Sequence, residues 1–181
     1  SEALVTARRT EPALAAGEAS PDIQKQAGKL SPTRLPALFL TLETNRVWWS
    51  TKGLLANGAR PTVSGSALVW QYYAGQGLQI QWLGTFGKAN GYLKEKAVQN
   101  SKLKALLDQA AALASARAGG IGWEYLFRFG GGNPPWVSGL AQATGIQALS
   151  RAAQKYGDDH VAQVITFSTI KARAAVRDAA R

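Results

Sequence analysis

The sequence predicts an all-α chain of stacked helical hairpins, and three observations predict it. Leu78, Trp82, Phe86 and Ala89 fall at helical spacing, with Ile80, Leu83 and Gly84 giving that segment a second apolar side, as expected of a helix buried between others. Leu103, Leu106, Leu107, Ala110 and Ala114 form a single stripe opposite the polar Lys102, Lys104 and Asp108, as expected of an outer helix. The triplet Gly77-Leu-Gln79 returns as Gly145-Ile-Gln147, 68 residues later, which suggests that an inner-then-outer pair is repeated.

Each element follows from local chemistry. Residues 1–30 are Ala-rich with scattered charges and read as a frayed N-terminal segment or linker; residues 31–181 form the helical domain. Ser31-Pro32 predicts a helix start, because Ser caps and Pro fits a first turn. Leu35 to Trp49 is apolar apart from a few polar positions and belongs in a core. Gly53, Gly58, Pro61 and Gly65 predict a short loop or hairpin region near 53–70. Ser101 caps the outer helix, which stops at Gly119-Gly120. A further small-residue helix begins near Ser138 and ends at Gly157, and Asp158 or Asp159 starts a last helix over residues 161–181.

Composition narrows the chemistry. The chain has 181 residues, a net charge of +10, one His, no Cys and no Met. A disulfide framework, a cysteine-based zinc site and a His-rich metal site are excluded, so no cofactor is predicted. No run is long and apolar enough for a membrane span. Ser1 implies a removed leader or a chain cut from a longer one.

The basic excess points to an acidic partner. It is spread as 8 basic and 5 acidic residues over 1–60, 7 and 3 over 61–150, and 6 and 3 over 151–181, so it makes no basic tail. The densest stretch, Lys88 to Lys104, reads as a solvated loop, and no nucleic-acid motif accompanies the charge. The Gly130-Gly-Gly-Asn-Pro-Pro135 turn lacks the Lys and Ser/Thr of a phosphate loop, and its prolines remove N–H donors. It reads as a rigid entry to a helix. His160 reads as a solvent-facing helix start, and no nucleophilic triad can be assembled.

The candidate binding residues lie in the connecting loops, where aromatic planes stand beside amides and an arginine. They are Tyr72, Tyr73, Gln76, Trp123, Glu124, Tyr125, Arg128, Asn133, Trp136, Ser138 and Gln142. Ser138 and Gln142 share a helix face among small apolar residues, so they either make satisfied core contacts or line a cleft. Trp82 and Phe86 are assigned to the core.

Through Trp136-Val-Ser-Gly-Leu-Ala-Gln142, with Tyr72 to Gln81 and Trp123-Glu124-Tyr125, the chain resembles the D-glucuronyl C5-epimerase family over roughly residues 35–165. The resemblance implies a partial α/α toroid continuing beyond residue 181, and a secreted or cell-surface protein acting on an acidic polysaccharide. It implies an isomerase that inverts C5 of glucuronate by removing a proton on one face and returning one on the other. The family's catalytic tyrosines lie past the matched region, so no catalytic residue is assigned. Trp136, Ser138 and Gln142 carry over as cleft-lining positions. The alternatives are a non-catalytic helical module that binds acidic glycans, and a polysaccharide lyase.

Overall fold

A computed structural model describes residues 31–95, 100–117 and 119–157. The expected N-terminal segment 1–30, the last helix over 161–181 and His160 lie outside these residues. The order is α1 (Leu35–Thr51), β1 (Trp70–Tyr73), β2 (Gly77–Ile80), α2 (Trp82–Lys94), α3 (Asn100–Ala112), β3 (Ser115–Arg117), β4 (Gly120–Gly122) and α4 (Gly139–Tyr156). This is a mixed α/β arrangement with two small antiparallel sheets, and the all-α toroid is corrected accordingly.

The correction centres on residues 70–80. Trp70-Gln-Tyr-Tyr73 and Gly77-Leu-Gln-Ile80 pair antiparallel, with Trp70 opposite Ile80 and Tyr73 opposite Gly77. Leu78 had counted as the first residue of a helical stripe, yet it ends up buried on a strand. Aromatic residues favour a pleated surface, and Gly75 and Gly77, both at positive φ, allow the tight return between the strands. The internal repeat fails for the same reason, since Gly77-Leu-Gln79 is strand while Gly145-Ile-Gln147 is helix. Of the loop or hairpin expected near 53–70, residues 53–69 are loop and the hairpin follows at 70–80, and Gly58 and Ala59 cover the outer edge of β1 through two hydrogen bonds of 2.8 Å with Tyr72. Gly119-Gly120 does not stop α3, which ends at Ala112; it lies at the turn of the second hairpin and opens β4.

The predicted Ser caps hold for α4 but not for α1 or α3. Helix α1 starts at Leu35 with Pro36 in its first turn, and its N-cap is Arg34, which makes no side-chain capping bond, rather than Ser31; Ser101 lies inside α3, which begins at Asn100. Gln81 caps α2 by accepting from the Leu83 N–H, and Ser138 caps α4 by accepting from the Ala141 N–H. Gly157, at φ 89°, closes α4.

The core lies between α2, α3, α4 and the segment after β4. Trp70, Trp82, Phe86, Leu106 and Trp123 are almost wholly buried, as assigned for Trp82 and Phe86. Helices α2 and α4 approach closely because Gly145 has no side chain: a Cβ there would lie 2.9 Å from the Phe86 ring. Leu103, Leu106 and Ala110 bury the inner face of α3, and Lys104 pairs with Asp108 on its outer face.

Candidate functional site

Helix α1 buries an unusual stripe of Ala37, Thr41, Thr44 and Asn45. Thr41 and Asn45 can lie there because each finds a partner. Thr41 donates to the Ala37 carbonyl at 2.8 Å. The Asn45 amide donates to the Thr41 and Leu78 carbonyls and accepts from the Leu78 N–H at 2.7 Å and the Trp49 indole N–H at 3.1 Å. One side chain therefore ties α1 to β2 and fixes the orientation of Trp49. Gly77 is required opposite it, because a Cβ would fall 2.4 Å from Asn45 Oδ1.

Between α1 and the β1–β2 hairpin this leaves a cleft of about 260 Å³, just under the usual 300–1,000 Å³ of small-molecule sites. Leu38, Leu42 and Leu126 make its apolar wall, and among the described residues no charged one lines it. At its mouth Trp49 and Tyr72 meet edge-to-face, with ring centroids 5.5 Å apart. Gln76 and Gln79 supply amides. Gln79 is only 8% exposed; its Nε2 donates to the Gln76 carbonyl at 2.7 Å, and among the described residues its Oε1 has no donor.

Of the eleven predicted residues, Tyr72 and Gln76 line this cleft. Gln76 also exchanges two 2.7 Å hydrogen bonds with the Arg128 backbone, locking the hairpin turn to the later aromatic segment. The other predicted residues gather elsewhere. Trp136 is half-buried and stacked on Tyr125 at 4.4 Å, with the exposed Phe129 on its far side. Tyr125 donates to Gln81 Oε1 at 2.7 Å, and Gln81 Nε2 donates to the Tyr73 hydroxyl, so both phenols support the N-terminus of α2. Burial raises both phenols above the usual tyrosine range, opposed for Tyr73 by the Gln81 hydrogen bond and for Tyr125 by the Leu83 N–H.

Trp123 is buried and donates to the Ala110 carbonyl, while Gln142 grips the Trp123 backbone, accepting its N–H at 3.0 Å and donating to its carbonyl at 2.8 Å. Glu124 receives Arg34 and Arg117. Burial pushes its carboxyl up, but the two guanidinium hydrogen bonds prevail and hold it below the ordinary value. Asn133 and the Arg128 side chain are exposed.

Sequence reading missed Asn45, Trp49 and Gln79. The signal for the first two was present: a Trp four residues after an Asn on a helix presents an indole N–H to an amide. Gln79 could be found only once residues 77–80 were known to be strand. Among the described residues no cluster of His, Asp or Glu could hold a metal ion. Nor is any described helix long and apolar enough to cross a membrane.

Fold and site thus define a small mixed α/β unit carrying an uncharged, aromatic-edged cleft. Residues 142–181 match the family described as the bacterial DNA polymerase III alpha NTPase domain. No curated protein and no solved structure matches the chain. The assignment to the D-glucuronyl C5-epimerase family is corrected by this finding, and no match indicates epimerase activity, polysaccharide binding or secretion. Of the matched stretch, residues 142–157 belong to α4 and its Gly157 cap, away from the cleft.

Proposed function

We propose that this chain is a non-catalytic binding module whose cleft takes one small, uncharged, hydroxylated ring compound, such as a single sugar residue. The observation that carries the reading is Gln79, a buried amide at the cleft with an acceptor oxygen left without a donor among the described residues. Leaving such an oxygen unpaired costs about 1–3 kcal/mol, and a ligand hydroxyl recovers that cost. Trp49 and Tyr72 offer ring surfaces to the apolar face of the same ligand. The absence of charge from the lining favours a neutral ligand over the acidic glycan expected from the overall +10.

Proton abstraction is not part of this reading. A base acting at neutral pH needs a tyrosine brought down toward that pH, whereas burial moves Tyr73 and Tyr125 the other way.

The test is a titration followed by tryptophan fluorescence, with glucose, N-acetylglucosamine and glucuronate as probes. Saturable binding of a neutral sugar is expected, weakened about tenfold by Gln79→Met, which keeps the volume and removes the acceptor. Binding of none of the three, or binding unchanged by Gln79→Met, would overturn the proposal.

A further inference from the structure

Away from the cleft, the C-terminal turn of α2 meets the last two turns of α4 around a second cavity of about 360 Å³, lined by Leu93, Lys94, Arg151, Gln154 and Lys155. Among the described residues, three of the five that line it are cations and none is an acid. Among the described residues none of the three is paired with a carboxylate; the ion pairs there belong to Arg34, Arg46, Lys104 and Arg117.

Helix dipoles account for two of these charges, since Lys94 and Lys155 occupy last turns, where the negative end of a helix favours cations. Arg151 is different, for it sits before the last turn of α4. It donates from Nη1 to Asn90 Oδ1 at 2.9 Å. Asn90 is 7% exposed and is itself fixed, its amide donating to the Phe86 and Thr144 carbonyls. A guanidinium anchored on one side by a buried amide is held in place, and its remaining N–H donors stay available as a fork. The same Asn90 ties α2 to α4, so the helix pairing that closes the core also sets the distance between Lys94 and the α4 cations.

We infer that this cavity is an anion-binding site for a phosphate or sulfate group, with Arg151 as the directional ligand and Lys94 and Lys155 as flanking charges. Tetrahedral oxyanions suit a forked donor flanked by two ammonium groups, because they accept several charge-assisted hydrogen bonds at once. The site also concentrates part of a net charge that is otherwise spread evenly along the chain.

The experiment compares inorganic pyrophosphate with dextran sulfate, which separates a free anion from a group carried on a polymer. Binding to the whole chain is followed by NMR, with the Asn90 side-chain amide as local reporter. Saturable binding of at least one probe, with a shift at the Asn90 amide, is expected. Arg151→Gln should weaken it about tenfold or more, while Lys52→Gln, which removes the same charge from an exposed position outside the cavity, should change it by less than about twofold. Lys155→Gln serves as a second variant should Arg151→Gln perturb the helix pair. No saturable binding, or equal losses for Arg151→Gln, Lys155→Gln and Lys52→Gln, would overturn the site and leave only a diffuse basic field.

Discussion

The seam between α2 and α4 and the cleft between α1 and β2 use the same residue types to opposite ends. In the seam, polar side chains turn inward and are consumed by backbone: Gln142 holds both backbone groups of Trp123, and Ser138 and Gln81 cap helices. In the cleft, Asn45 is just as fully used, tying α1 to β2, while beside it Gln79 keeps an open acceptor among the described residues and Trp49 lies partly in water. A polar residue in an apolar setting is therefore no guide to function by itself. What separates the two regions is whether its hydrogen-bonding capacity is exhausted.

The sharpest way to break this contrast is Glu124→Gln. It replaces a buried carboxylate that receives two partly exposed guanidinium groups by a neutral amide, and a loss of about 2–3 kcal/mol by urea unfolding is expected, against the view that this acid waits for a ligand. The wild-type protein carries a matching pH signature. Because the folded carboxyl lies below its ordinary value near 4.3, its contribution is fully present above that value and is lost as pH falls through the lower folded one. Stability curves should thus fall on the acid side in the wild type, and Glu124→Gln should remove that part of the fall.

Next in size is Gly145→Ala. Its Cβ would collide with the Phe86 ring, so a loss of about 1–3 kcal/mol is expected despite the better helix propensity of Ala. An unchanged melting temperature would show that the seam has slack. Asn45→Ala should cost about 1–2 kcal/mol, because it removes the side-chain partner of the Leu78 N–H and carbonyl. Smallest is Trp49→Ala, expected to move stability by no more than about 0.5 kcal/mol while abolishing the fluorescence response to a cleft ligand. A large stability loss there would make Trp49 a packing residue and weaken the contrast at its centre.

Much of the helical half was legible in advance. The Ser138 start, the Gly157 stop and the Leu103–Leu106–Ala110 stripe are written in capping and periodicity, which act within one or two turns. The hairpin was misread because Leu78, Trp82, Phe86 and Ala89 are spaced as one helix face although the first stands on a strand and the others on a helix. Periodicity cannot show where an element boundary interrupts a run of apolar residues, whereas Gly75-Gln-Gly77 was the local cue to a turn. The aromatic candidates were chosen for chemistry that suits stacking, yet Trp123, Tyr125 and Tyr73 are buried. The same ring that stacks on a ligand also fills a core, and only its neighbours decide which.

By itself the sequence determined the absence of cysteine chemistry, the overall basic charge, the caps of α4 and the burial of Trp82 and Phe86, because each depends on composition or on contacts a few residues apart. Tertiary structure decided that residues 70–80 pair as strands, that Glu124 meets two arginines 90 and 7 residues away, and that Asn45 spans 33 residues to tie α1 to β2 beside the cleft. These depend on which distant groups satisfy one another's hydrogen bonds, and no local pattern carries that information.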